Sequence, residues 1–168
     1  MLFAWSCQYN ITDLASIIWT RKNNQISRQL NDKGVISPAQ YKIKNGISKN
    51  KDISFETFYN QCKSLNIPVG AYWYSYATSP DEARQEARKF LEVIGDKKFT
   101  LPLYLDIEDS SMASLGRYTL NDIVRAFGEV IENGGYYFGV YSNLNWYNNI
   151  ISGEELNKKY DWWIACWS

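Results

Sequence analysis

The chain has 168 residues, a length that suits one ordinary domain with a sizeable core, and its 18 Lys plus Arg balance its 18 Asp plus Glu. Zero net charge leaves no basic footprint for nucleic acid, and no Lys/Arg run offers a grip on an anionic membrane surface. The absence of His excludes Ser-His-Asp and Cys-His nucleophilic schemes and His-based zinc sites, so acid–base chemistry must run on carboxylates, Tyr, Lys or Cys.

The opening Met1-Leu2-Phe3-Ala4-Trp5-Ser6-Cys7 is apolar but short and lacks a basic leader, which makes it a poor secretory signal. Ile11–Trp19 has the rhythm of an amphipathic helix. Residues 21–51 are polar, rich in Lys, Asn and Gln, and give no firm element. No segment of the chain reaches the length of a membrane-spanning helix.

From residue 55 the pattern sharpens. Phe55, Phe58, Tyr59, Cys62 and Leu65 fall at helical spacing, Asn66 ends the run, and Pro68 cannot continue it. Ile67–Ala77 reads as an aromatic strand. Ser79-Pro80-Asp81-Glu82 is a helix start, with Ser79 as cap, Pro80 in the first turn and Glu82 completing a capping box. That helix runs to Ile94 and stops at Gly95. Thr100–Glu108 reads as the next strand. A helix capped near Thr119 follows, with Leu120, Ile123, Val124, Phe127, Val130 and Ile131 on one face and Gly134-Gly135 closing it. Tyr136–Ser142 is a third strand, Leu144–Lys158 a short helical stretch and Asp161–Trp167 a fourth strand.

Strands alternating with helices imply parallel pairing through right-handed crossovers, with both faces of the sheet covered. An α/β barrel and an open doubly wound sheet both satisfy this pattern. No Gly-rich phosphate loop follows any strand, which argues against a nucleotide-binding sheet. Cys7, Cys62 and Cys166 have no metal-ligand spacing and read as small, buried, reduced side chains.

The most informative segment is Tyr104-Leu105-Asp106-Ile107-Glu108-Asp109. Residues i and i+2 of a strand point the same way, so Asp106 and Glu108 share a face, with Cα atoms roughly 6.5–7 Å apart. Ser110, Ser111 and Gly116 suggest a loop beyond, which puts the pair at the carboxyl end of a strand, where parallel α/β proteins build their sites. Desolvation and mutual repulsion would keep one acid protonated near neutral pH and leave the other ionised, the division of labour that glycosidic cleavage needs. A solvated strand end, a helix-capping acid, and a divalent-cation site drawing on Asp109 and Asp122 are the other readings of the same residues. The 7 Trp and 13 Tyr admit two readings as well, a large aromatic core or a cleft whose flat rings stack on sugar faces.

Four runs carry a family resemblance: Ile67–Tyr74, Leu101–Glu108, Tyr136–Ser142 and Asp161–Ala165. Their order, spacing and connecting helices resemble the family 25 glycoside hydrolases, the Chalaropsis-type lysozymes that include many phage endolysins, over residues 55–168. The resemblance implies an α/β fold of the TIM-like (β/α) barrel type, incomplete or irregular. It implies one glycosidase-like domain over 1–168, with 1–54 divergent and 55–168 made of recognisable β/α units. It also implies an N-acetylmuramidase that cleaves the β-1,4 bond between N-acetylmuramic acid and N-acetylglucosamine with retention. Glu108 is then the proton donor, and Asp106 stabilises the intermediate. The strand-end aromatics Tyr72, Tyr74, Tyr76, Tyr137, Tyr141, Trp163 and Trp167 are candidates to line the cleft.

No metal and no organic cofactor is implied. The partner is peptidoglycan, with neither nucleic acid nor membrane, and the chain is expected to be a monomer that is secreted or released at lysis. The family's opening Asp-Val-Ser and Trp-Gln motifs are not found, since Asp13 and Asp32 lack those surroundings. The family's further last strand is also not found, so the barrel is expected to be shortened or remodelled at both ends. A degenerate relative that grips glycan without cutting it is the alternative.

Overall fold

The computed structural model describes residues 35–40, 55–151 and 153–165. The helix expected over Ile11–Trp19 lies outside the described residues, as do Cys7, Asp13, Asp32, Cys166 and Trp167.

Five strands and four helices alternate along the chain: β1 (Val35–Gln40), α1 (Phe55–Ser64), β2 (Gly70–Tyr74), α2 (Pro80–Ile94), β3 (Leu103–Asp106), α3 (Arg117–Asn133), β4 (Phe138–Asn143), α4 (Gly153–Leu156) and β5 (Asp161–Ala165). A 3₁₀ segment, Ser110–Leu115, precedes α3, and a π-helical turn, Trp146–Ile150, follows β4. All strand pairs are parallel, and the spatial order is the chain order, β1-β2-β3-β4-β5. That order separates the two architectures that the sequence leaves open. A doubly wound sheet needs a reversal of strand order, whereas right-handed crossovers in unbroken succession put every helix on one face and curl the sheet toward a barrel. The chain therefore has a barrel-type α/β fold, and among the described residues the sheet is open, with β1 and β5 as its edges.

The two faces of the sheet differ in chemistry. Toward the helices point Trp73, Leu103, Leu105, Ile107, Val140 and Trp162, buried in one continuous core with Phe55 and Phe58 of α1, Phe90 and Ile94 of α2, and Ile123 and Phe127 of α3. Rings run through this layer as a chain, Trp73 to Phe90 (5.6 Å between centroids), Phe90 to Phe127 (6.3 Å), Phe127 to Phe138 (5.9 Å) and Phe138 to Tyr160 (4.9 Å). The opposite face carries a separate small cluster, Tyr104 and Trp163 with Tyr72 and Tyr141 packed against them. Among the described residues most rings thus lie in the core and a few on the inner face.

Several elements are shorter than the sequence suggests, for physical reasons. β2 stops at Tyr74, not Ala77, because the backbone amides of Tyr76 and Ala77 leave the ladder for Glu86 Oε1 (3.1 Å) and Ser75 Oγ (3.2 Å). Ser79 caps α2 as expected, accepting from the Glu82 amide at 3.3 Å. Glu82 does not close a capping box on Ser79; its Oε2 accepts from the amide and hydroxyl of Thr78, each at 2.7 Å. The α3 cap is Gly116 and not Thr119, which sits inside the helix, since the 3₁₀ segment delivers the chain to Arg117 with Gly116 at φ 82°. β1 was not foreseen. Its Pro38 sits where the pairing with β2 is irregular, between Ile36 and Ala39, a position that an edge strand tolerates.

Candidate active site

The register lays the inner face out in rows. Tyr74 pairs with Asp106, Asp106 with Tyr141 and Tyr141 with Trp163, while Tyr72 pairs with Tyr104 and Tyr104 with Gly139 in the row below. Asp106 is therefore the one carboxylate in a row of three aromatic rings, on the last residue of β3. The ring of Trp163 packs edge-on against Tyr141 at 4.6 Å and against Tyr104 at 5.6 Å. Gly139 makes room for this cluster: a Cβ there would lie 2.6 Å from Tyr104 Cε1.

Past the strand, Ile107 turns into the helix-side core and is wholly buried, its amide bonded to Tyr141 O at 3.0 Å and its carbonyl accepting from Ser142 Oγ at 2.9 Å. With Ile107 pinned outward, Asp106 and Glu108 on either side of it turn to the inner face. Glu108 is half-buried, and its Oε2 accepts from Asn143 Nδ2 at 3.0 Å. Asp109 caps the 3₁₀ segment, accepting from the Ser111 amide at 3.0 Å, and also accepts from Tyr74 Oη at 3.1 Å. The Tyr76 ring lies 5.0 Å from that of Tyr74, just past the end of β2. Tyr72, Tyr74, Tyr76, Tyr141 and Trp163 thus gather on or beside the face that carries the two acids. Tyr137 does not. It precedes β4 at the opposite, amino-terminal end of the sheet and is 83% exposed.

Electrostatics divide the pair. Asp106 is 5% exposed, and its Oδ1 has no hydrogen-bond partner among the described residues. Burial first, and the neighbouring Glu108 charge second, push its carboxyl from an ordinary 3.8 up to about 8. Asp106, the acid that the resemblance casts as the stabilising carboxylate, is thus held toward its protonated form in the substrate-free chain. Burial and then the Asp109 charge push the Tyr74 hydroxyl up as well, and the same two causes act on Tyr76. Both phenols stay neutral and keep their hydrogens as donors.

Two further polar side chains that the sequence reading does not single out border the pair. Asn143 falls just after the strand expected over Tyr136–Ser142, and its partner Glu108 lies 35 positions away. Glu86, wholly buried on α2, accepts from Trp73 Nε1 (3.2 Å), Ser75 Oγ (2.6 Å) and the Tyr76 amide (3.1 Å), and so fixes the chain that carries Tyr74 and Tyr76. Burial pushes its carboxyl up to about 7 against the pull of those three donors. A signal for it existed: Glu86 interrupts the apolar stripe Ala83, Ala87, Phe90, Ile94 at helical spacing. Asp122, weighed as a cation ligand, pairs instead with Arg125 at 3.0 Å on the outside of α3. Among the described residues no three His, Cys, Asp or Glu side chains are grouped to hold a metal ion. Cys62 is a buried free thiol, pushed up to about 11 by burial.

A family model described as glycosyl hydrolases family 25 matches residues 17–168. No curated protein sequence matches the chain. Among solved structures, the modular autolysin LytC from Streptococcus pneumoniae aligns with a TM-score of 0.65 at 19% identity, over 84% of this chain and 34% of that one. The Clostridium perfringens spore cortex lytic enzyme SleM aligns with a TM-score of 0.64 at 22% identity, over 79% of this chain and 46% of that one. The Streptococcus pneumoniae virulence factor GHIP, a glycosyl hydrolase 25, aligns with a TM-score of 0.61 at 19% identity, over 80% and 57%. At such identities the likeness is one of fold, and the chain spans between 34% and 57% of the length of these proteins.

Proposed function

The chain belongs to the glycosyl hydrolases family 25, and on that premise we propose that it is a peptidoglycan hydrolase of the lysozyme type, an N-acetylmuramidase that cuts the β-1,4 bond between N-acetylmuramic acid and N-acetylglucosamine. The observation that carries this reading is the unequal pair on one face, a buried Asp106 with an unpartnered oxygen beside a half-buried Glu108, in a row of aromatic rings at the carboxyl end of a parallel strand. LytC, solved in complex with a synthetic peptidoglycan ligand, supports the choice of glycan.

In this reading the sugar chain lies over Tyr74, Tyr76, Tyr141 and Trp163, whose faces stack on the C–H faces of the rings. Glu108, the more exposed acid, protonates the glycosidic oxygen as the C–O bond breaks and the bonding pair leaves with that oxygen. Asp106 then faces the positive charge left on the sugar. For that role Asp106 must give up the proton that burial favours on it. Positive charge that develops on the sugar as the bond breaks favours the ionised form of Asp106. The protein acts on the wall after secretion or after release at lysis.

The test is incubation with purified peptidoglycan and a count of new reducing ends. Release that rises with time and enzyme supports hydrolysis. Retention on the wall with no new reducing ends overturns it and leaves a glycan-binding relative in its place.

A further inference from the structure

Glu108 has a partner whose orientation is fixed from behind. The backbone amide of Trp146 can only donate, and it donates to Asn143 Oδ1 at 3.0 Å. The amide group of Asn143 therefore cannot flip without setting donor against donor, and its NH₂ must face Glu108, where Nδ2 donates to Oε2 at 3.0 Å. Trp146 is itself held, its indole buried in the core, and it opens the π-helical turn that follows β4.

We infer that Asn143 is a positioning residue that dictates which oxygen of Glu108 delivers the proton. The inference rests on the proposed part of Glu108 as the acid. An oxygen that accepts from an N–H cannot at the same time point a proton at that N–H. A carboxylic acid accepts more strongly at its carbonyl oxygen than at its hydroxyl oxygen, so with Oε2 accepting from Asn143 the acid form of Glu108 carries its proton on Oε1. When that proton leaves for the glycosidic oxygen, Glu108 becomes a carboxylate, and the Asn143 bond turns from a neutral to a charge-assisted one. The contact is thus stronger after proton transfer than before it, the kind of differential binding that lowers the barrier. The other ionisable groups at these strand ends are Asp106 on the same strand, Asp109 in the next residue, and the Tyr74 and Tyr76 phenols from the end of β2.

Two variants separate a donor from a spacer. Asn143→Ala removes the donor and the acceptor together. Asn143→Asp keeps an acceptor for the Trp146 amide, so the turn stays built, and sets an oxygen where the donor was. Both should lower kcat on soluble peptidoglycan fragments about tenfold, with KM within about twofold and melting temperature little changed. A readout independent of turnover is the side-chain amide of Asn143 in a ¹H–¹⁵N spectrum. Its resonance should move with pH in the parent and stay flat in Glu108→Gln. A resonance equally flat in both proteins, or full kcat in Asn143→Asp, overturns the inference. A parent that cuts no glycan sinks the proposed function, while the spectrum still decides the contact.

Discussion

Asp106 is costly to the fold as an ion, because burial and the Glu108 charge both hold it above its ordinary range. Asparagine copies the shape of its neutral form and so asks which form the chemistry uses. If Asp106 must ionise to face a sugar cation, Asp106→Asn should lose at least roughly a hundredfold in kcat. The same variant should melt higher than the parent at alkaline pH, because no buried charge remains. Full activity in Asp106→Asn would mean that the neutral form suffices. At this scale the pair was legible in the sequence because i and i+2 of a strand share a face, and because a chain without His must work with carboxylates. Asn143 was not legible, since its meaning lies in a contact across two strands. Glu86 was half legible, as a charge on an apolar stripe whose three partners only the fold brings together.

The elements hold the site from the helix side. Phe127 of α3 sits in the middle of the ring chain between Phe90 and Phe138, wholly buried. Phe127→Ala should cost about 3–5 kcal/mol, the usual loss for a large ring removed from a packed core. Chemical denaturation reads this directly, and a loss below about 1 kcal/mol would show that α3 is held by something other than this layer. The existence, type and order of the elements after residue 55 were readable, since helical and strand periods alternate cleanly there. Their ends were less so. The end of β2 is set by where the next amides leave the ladder, the Tyr76 amide going to Glu86, and that departure leaves no local mark in sequence. β1 escaped because a Pro in a polar surrounding does not read as a strand, although an edge position tolerates it.

For the molecule as a whole, two buried carboxyls tie stability to pH. Glu86 rises from an ordinary 4.5 to about 7 and Asp106 from 3.8 to about 8. In both cases the folded state holds a proton that the unfolded state has released. Their contribution is fully present below about pH 4 and is lost as pH rises through about 7 and then about 8. Between those limits the melting temperature should fall with rising pH, and the fall should be shallower in Asp106→Asn. A parent whose stability rises across that window would contradict the buried, protonated state of both groups. Parallel pairing follows from the β/α alternation and the barrel type from the family resemblance, but the alternation by itself admits a doubly wound sheet, and the strand order that separates the two is encoded by no local pattern. The most direct measurement is mass analysis of soluble products from purified peptidoglycan, treated with the parent chain and with Glu108→Gln. The parent should release fragments with N-acetylmuramic acid at the new reducing end, while Glu108→Gln, folded as the parent, should release none. Equal release by the two proteins, or no fragments from the parent, would contradict the assignment of this carboxyl pair to glycan cleavage.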